Sequence, residues 1–311
     1  MHIPVLLKEV IELLDPREGE FFIDGTFGGG GHANAILEKI GPTGKLLGVD
    51  WNKIGYEKCV EIASSPAPRN DGIKCIQDNF ANLPEILKEK EIAAVGRLGD
   101  LPRNDRGEIK ANGLLLDLGV SSDELEDSGR GFSFQKDEPL LMTYNDDEIP
   151  VKNLLRQLNR DALAKVIKDY GGENWAIKIA QAIKDRLRKK DIETSGELAQ
   201  LIIDAVPKNY EHGRIHPATR TFMALRVYAN HELENLEKVL KNLDKILLPK
   251  GRATIISFHS LEDRLVKNYF RDLAKEEKLE IITKKPVTAS WEEVKENPRA
   301  RSAKLRCAQV K

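Results

Sequence analysis

Apolar residues fall into short continuous runs over the first third of the chain and into three- and four-residue spacing over the middle. The runs Phe21–Asp24, Lys45–Asp50, Ile73–Phe80 and Gly113–Gly119 read as strands, with a helical pattern over Ala33–Lys39 between the first two. Leu114-Leu115-Leu116 is apolar throughout, as a strand buried on both faces is. Asn82–Ala94 reads as a helix, and the polar, glycine-bearing 96–112 stretch as a surface loop. Past Gly119 the alternation stops, and Val151–Tyr170, Trp175–Lys189 and Ser195–Val206 carry helical periodicity, with Ser195 as the N-cap of the last. Thr219–Leu247 is predicted as one long amphipathic helix, followed by a turn at Pro249-Lys250-Gly251. Arg252–Phe258 is a fifth strand and Leu261–Glu277 a helix. Leu279–Val287 and Ala303–Val310 are expected to close the sheet as a hairpin.

The early strands end in acids, so Asp24, Asp50, Asp78 and Asp117 are expected along one carboxyl edge, where open α/β sheets bind ligands. Asp24 opens onto Gly25-Thr26-Phe27 and the four glycines 28–31, followed by His32. Glycine lets peptide N–H groups approach a ligand at φ angles closed to other residues. A glycine turn between strand and helix is where such folds hold a nucleoside cofactor. No G-x-G-x-x-G follows the strand, which argues against a dinucleotide. Asp50 suits a bond to a ribose diol, and Asp78 with Phe80 a place beside adenine. The competing reading is that each acid caps the helix after it. With the glycine turn, the pattern favours a cationic, ribose-bearing cofactor, and S-adenosylmethionine matches.

At 311 residues the chain is long enough for two domains. Its formal charge of -1 with 32% charged residues gives no global basic field. No run approaches the ~20 apolar residues of a membrane span, and the N-terminus has no signal-peptide pattern. Cys59, Cys75 and Cys307 are odd in number and widely spaced, so neither a zinc site nor a disulfide framework is expected, and a reducing cytoplasm is the default. Residues 120–150 hold nine acids against two bases, while 151–215 hold thirteen bases against nine acids. This shift marks residues 120–215 as an inserted helical substrate-recognition domain. Residues 1–119 and 216–311 then form a discontinuous cofactor-binding domain, in a monomer or homodimer.

The end of the fourth strand, Asp117-Leu118-Gly119-Val120-Ser121-Ser122, bears on the reaction class. The lone pair of an exocyclic amine on a base is delocalised into the ring. Methylating it calls for an acceptor on the N–H and no metal. Asp117 can be that acceptor, with Ser121 and Ser122 holding the base edge; a contact to the cofactor's methionine amine is equally open to it. His216–Arg226 places Arg220 and Arg226 six residues apart, just after His212 and Arg214. Arginine binds phosphate bidentately, which suits an RNA backbone; helix capping and pairing with the acidic 120–150 stretch is the plainer role. The run Arg186–Lys190 touches phosphate or is a solvated helix end. Arg299, Arg301 and Arg306 sit in a stretch with four bases and no acid, a place for nucleic acid. Ser257 and His259 reach the ligand edge at the fifth strand, but no G-x-S-x-G elbow supports a hydrolase. His231-Glu232 lacks the second histidine of a zinc motif.

Asp24–His32, Asp117–Ser122, Arg130–Phe134, His216–Arg226, Ser257–Arg264 and Pro298–Arg306 together resemble the RsmH (MraW) family. Its members are S-adenosylmethionine-dependent methyltransferases of small-subunit ribosomal RNA. The resemblance runs from His2 to the C-terminus. It implies a class I, Rossmann-like methyltransferase sheet with a helical insertion, in a cytoplasmic enzyme of ribosome biogenesis. The implied reaction is N4-methylation of a cytosine in the 16S decoding region. Methylation of another RNA, or a non-catalytic role in ribosome assembly, is the alternative. Gly28, Gly30, Gly31, His32, Asp50, Phe80 and Asp117 are the implied cofactor contacts, with Glu124 where the family usually has glutamine. Arg220, Arg226, His259, Arg299, Arg301 and Arg306, read from the residues themselves, are the expected RNA contacts. Gly29 stands where the family commonly has arginine. Leu141 and Thr143 replace a family aspartate and arginine.

Overall fold

A computed structural model of the chain describes residues 3–65, 72–88, 101, 107–120 and 128–311. The chain divides into two compact units, Met1–Gly119 with Leu233–Lys311, and Val120–Glu232. The first is built on seven strands: β1 (Phe21–Asp24), β2 (Lys45–Asp50), β3 (Ile73–Gln77), β4 (Ala111–Asp117), β5 (Leu247–Ser257), β6 (Leu279–Ile281) and β7 (Lys304–Val310). Their order is β3-β2-β1-β4-β5-β7-β6. The strands β1 to β5 run parallel and β7 antiparallel between β5 and β6. This is the class I methyltransferase arrangement expected above.

The period of two along each strand explains the continuous apolar runs. Phe21 and Ile23 join one core with Leu47, Val49, Leu114, Leu116 and Ile255. Phe22 joins the opposite core with Leu46, Leu115, Ile256 and Leu305. A parallel sheet covered on both sides needs apolar residues facing both ways. On the second face lie α1 (Leu7–Leu14), α2 (Gly31–Ile40) and Cys59 of α3 (Lys53–Ser64). On the first lie α4 (Leu83–Ile86) and three later helices.

The second unit contains α5 (Val151–Gln157), α6 (Arg160–Gly171), α7 (Ala176–Leu187), α8 (Ser195–Ala205) and α9 (Thr219–Ala229). Leu155, Ile167, Ile179, Ile183, Leu198 and Phe222 lie in its own core. Gly171 lets α9 approach α6: a Cβ there would lie 2.5 Å from the Arg220 carbonyl oxygen. The helix beginning at Thr219 therefore packs with the inserted unit, whose end lies at Glu232 and not at the residue 215 read from the sequence.

The remaining elements of the first unit are α10 (Glu232–Leu240), α11 (Leu243–Ile246), α12 (Ser260–Lys275) and α13 (Trp291–Glu296). The single helix expected over Thr219–Leu247 is thus broken into α9, α10 and α11. Asn230 makes the first break. It is fully buried, its side chain accepting from the Tyr144 N–H at 2.9 Å and donating to the Met142 carbonyl at 2.8 Å. His231 after it has φ of 51°.

Other expectations shift for local reasons. Thr194, not Ser195, caps α8, accepting from the Glu197 N–H, while the Ser195 hydroxyl donates to the Lys136 carbonyl. After β3 a 3-10 turn, Phe80–Asn82, precedes the short α4; the predicted helix there runs on into residues 89–94, outside the described ones. Strands β6 and β7 pair, but α13 and a 3-10 turn lie between them, so they form no tight hairpin. Cys59 and Cys75 form a disulfide joining α3 to β3, against the expectation of none; Cys307 is free and buried. Pairing here required α3 to fold back along β3, which spacing alone does not reveal.

Candidate active site

The sheet order reverses between β1 and β4, and open α/β sheets bind ligands outside the carboxyl ends at such a point. Asp24 ends β1 and Asp117 ends β4, with Asp50 at the end of β2 beside β1. Thr26 ties two of these ends together. Its N–H donates to Asp24 Oδ1 at 3.2 Å, and its hydroxyl oxygen accepts from the Asp117 N–H at 2.6 Å. The sequence reading passed over Thr26; its one signal was its place two residues past a strand-ending acid.

Asp50 is fixed by backbone donors. Its Oδ2 accepts from the Gly28 N–H at 2.7 Å and its Oδ1 from the Asn52 N–H at 2.9 Å. Gly55 in α3 leaves room for it, since a Cβ there would lie 2.2 Å from Oδ2. Burial pushes the Asp50 carboxyl up to about 6, the two N–H donors opposing. Gly28 takes φ of 50° and Gly30 of 75°, conformations that favour glycine. A Cβ on Gly28 would meet only the Thr26 carbonyl oxygen, at 3.8 Å, so that stretch of the loop faces open space. Gly30 precedes α2 with no side chain capping the helix.

Around Asp117 the interior is crowded with titratable groups. Asp24 is buried and pushed up to about 6, chiefly by desolvation. His32 Nε2 lies 2.9 Å from the Val5 carbonyl oxygen, which can only accept, so Nε2 carries the proton. Burial lowers the pKa of His32, keeping the ring neutral. Its Nδ1 lone pair then lies 3.6 Å from Asp117 Oδ2. Asp117 is raised to about 7, first by burial and then by the Glu262 charge. Its Oδ1 is buried without a hydrogen-bond partner.

Glu262 was not singled out in the sequence as a site residue. It is buried, its Oε2 accepting from the N–H groups of Phe258 and His259 at 2.9 and 3.2 Å. His259 caps α12 by accepting from the Glu262 N–H, and its Nε2 sits 3.2 Å from Glu262 Oε1 without hydrogen-bond alignment. The capping S/H-x-x-E spacing was the available signal.

Seven of the eight implied cofactor contacts lie in the first unit. Gly28, Gly30, Gly31, His32, Asp50 and Asp117 gather at the ends of β1, β2 and β4. Phe80 begins the turn after β3, near Gly25, where a Cβ would come within 3.3 Å of the Phe80 Cβ. Asp78 turns away to accept from the Asn79 N–H and the Asn82 amide. Ser121, Ser122 and Glu124 lie outside the described residues.

The expected RNA contacts divide. Arg301 is exposed and Arg299 half-buried, in the 3-10 turn Pro298–Ser302. Arg306 is buried instead, 2.7 Å from Asp263 Oδ1, because β7 is an inner strand. His259 is likewise occupied as a helix cap. Arg220 pairs with Glu211 at 2.5 Å and Arg226 with Glu232 at 2.8 Å. Thr143, in place of a family arginine, is buried and accepts from Arg130 through its carbonyl and hydroxyl oxygens. Leu141 is half-buried.

Residues 1–311 match the model of the MraW methylase family. The ribosomal RNA small subunit methyltransferase H of Geotalea uraniireducens is 42% identical, the match covering 99% of this chain and 98% of that protein. The proteins of that name from Trichlorobacter lovleyi and Clostridioides difficile are 41% and 38% identical, over 99% of this chain and 97% and 98% of theirs. The chain belongs to the MraW methylase family. It is a methyltransferase, and its cofactor is S-adenosylmethionine. The residues present suit that family role. An orphaned buried carboxylate oxygen at the sheet reversal calls for a donor or a cation, and the open glycine turn beside Asp50 leaves room for a nucleoside. Asp50 could hold a ribose diol there, and the glycine turn with the uncapped start of α2 could hold the methionine end.

Proposed function

We propose that this protein methylates the exocyclic N4 of a cytosine in the decoding region of 16S ribosomal RNA. Support for an RNA substrate comes from relatives named as small-subunit ribosomal RNA methyltransferases that match end to end. Support for an amino target comes from Asp117, whose Oδ1 is buried and unpartnered at the edge where the strand order reverses between β1 and β4. S-adenosylmethionine, when bound, supplies a methyl group on a sulfonium, which leaves as a neutral thioether.

Asp117 in its ionised form accepts the amine N–H, localising the nitrogen lone pair for attack on the methyl carbon. The surplus proton of the methylated amine would pass to the Asp117 carboxylate and on to water. Neutral His32 offers a lone pair on the same side, so it does not hold that carboxylate as a counter-ion. Burial and then the Glu262 charge raise the proton affinity of the group and suit it to take a proton near neutrality. Alignment of methyl and amine supplies most of the acceleration. Ser121 and Ser122 are assigned to the base edge, and Arg220, Arg226, Arg299 and Arg301 to the RNA backbone. The enzyme works in the cytoplasm, where ribosomes are assembled.

Mass spectrometry of 16S RNA from cells with and without the gene tests the substrate. Loss of N4-methylcytidine from decoding-region fragments is expected, and an unchanged signal would refute the assignment. Asp117→Asn separates the two roles of that residue. A fall in kcat with S-adenosylmethionine affinity nearly kept marks a group acting on the base. A matching loss of cofactor affinity marks one that only holds the methionine amine.

A further inference from the structure

The helical unit carries a concave basic site that this chemistry leaves unused. Between the end of α5, the start of α6 and the last turns of α7 lies a groove of about 640 Å3. Arg156, Arg160, Lys184 and Arg188 line it against one acid, Asp191, four positive charges less one negative, in a chain whose total is -1. Arg156 is committed to that acid, 2.5 Å away, and to Glu193 at 3.4 Å. Arg160, Lys184 and Arg188 carry the remaining field.

Each of these three is held without being consumed. The Lys184 ammonium donates to the Leu155 and Arg156 carbonyls at 2.7 and 3.2 Å, at the end of α5. An ammonium has three donors, so two such bonds leave one. Arg160 and Arg188 pair with Asp161 and Asp185 on their own helices, at 2.7 and 2.8 Å, all four side chains half or more exposed. Exposed pairs of that kind are weak, and a phosphate can take over a guanidinium fork bidentately. The helical period also sorts the basic run. Arg186 and Lys190, four residues apart, both reach Glu197 on α8, whereas Arg188 between them turns to the groove.

We propose that this groove grips the phosphodiester backbone of the RNA substrate, as an anchor separate in role from the site that takes the target base. The proposal rests on the ribosomal RNA reading above. The volume lies within the roughly 300–1,000 Å3 typical of sites for small ligands or parts of larger ones. Paired arginine forks beside a fixed ammonium match successive phosphates better than scattered side-chain carboxylates.

The test uses the full-length protein and anisotropy of a labelled 16S RNA fragment over a salt series. For Arg160→Ala/Arg188→Ala, Kd should rise about tenfold at low salt and the slope of log K against log salt should shrink by about 1–2. Calorimetric affinity for S-adenosylmethionine and the far-ultraviolet circular dichroism should stay as in wild type. Arg160→Lys/Arg188→Lys should recover most of the slope, since charge returns without the fork. Unchanged Kd and slope in the alanine variant, with wild type binding and methylating the fragment, would overturn the groove and leave the substrate reading intact. A wild type that neither binds nor methylates the fragment would take down both. Displacement of the RNA by poly-glutamate at equal charge would assign the groove to an acidic protein and overturn the RNA proposal.

Discussion

The behaviour of this protein turns on a few carboxyls taken out of water at strand ends. In the proposed reaction Asp117 must be ionised to accept an amine N–H, and burial pushes its carboxyl up to about 7. The rate constant kcat/KM, which reports the free enzyme, should therefore climb with pH through about 7 and level off above it. Asp117→Asn should lower it by about 10²–10⁴ and flatten that profile. Glu262→Gln removes a negative charge that raises Asp117, so the rising limb should move to lower pH; a profile that stays in place would deny Glu262 that influence. Stability runs the other way. A folded value raised above the unfolded 3.8 means that the protonated form favours folding, and this contribution is lost as pH rises from about 4 through about 7. Asp117→Asn should then be the more stable protein at pH 8, by up to about 4 kcal/mol in denaturant titrations. Gly55→Ala places a methyl group against the Asp50 carboxyl, and cofactor affinity should fall by at least about tenfold, read by calorimetry. The acids at 24, 50 and 117 were legible as strand-ending residues. Thr26 and Glu262 were not, because a single hydroxyl or a buried capping acid carries no periodic signal.

At the scale of elements, the parallel strands were readable because burial on both faces leaves uninterrupted apolar runs. The break after α9 was hidden, since Asn230 in a helical pattern looks tolerable until its partners Tyr144 and Met142, more than 80 positions away, are brought beside it. The cap of α8 slipped by one residue because Thr194 and Ser195 are both good caps, and only packing sends the serine inward to Lys136. Thr194→Ala should cost about 1 kcal/mol of the helical unit's stability, measured by urea unfolding. The Cys59–Cys75 bond spans a separation of 16 residues, and closing such a loop stabilises by about 3 kcal/mol. Dithiothreitol should lower the unfolding midpoint of the oxidised wild type and leave Cys75→Ser unmoved. Equal response in both would mean that this bond contributes nothing in solution.

For the whole molecule, two compact units with separate cores predict two folding events. The unit with the sheet holds seven of the eight residues assigned to the cofactor, so S-adenosylmethionine should raise one calorimetric transition far more than the other. A single transition displaced as a whole would show the units to be thermodynamically coupled. No helix among the described residues is long and apolar enough to cross a membrane.

The order of hydrophobic runs and acid-ended strands was enough to determine the fold class and to bring the acids Asp24, Asp50 and Asp117 to the carboxyl ends of neighbouring strands. These are set by local patterning, which one residue's neighbours along the chain suffice to express. What tertiary structure alone decided were matters of long-range contact. Arg306 is spent inside the sheet on Asp263, the first helix after the expected boundary packs with the insert, Cys59 meets Cys75, and scattered bases on α5, α6 and α7 converge on one groove. Each depends on which surfaces meet once the chain is compact, and residues far apart in sequence leave no record of that meeting until it happens.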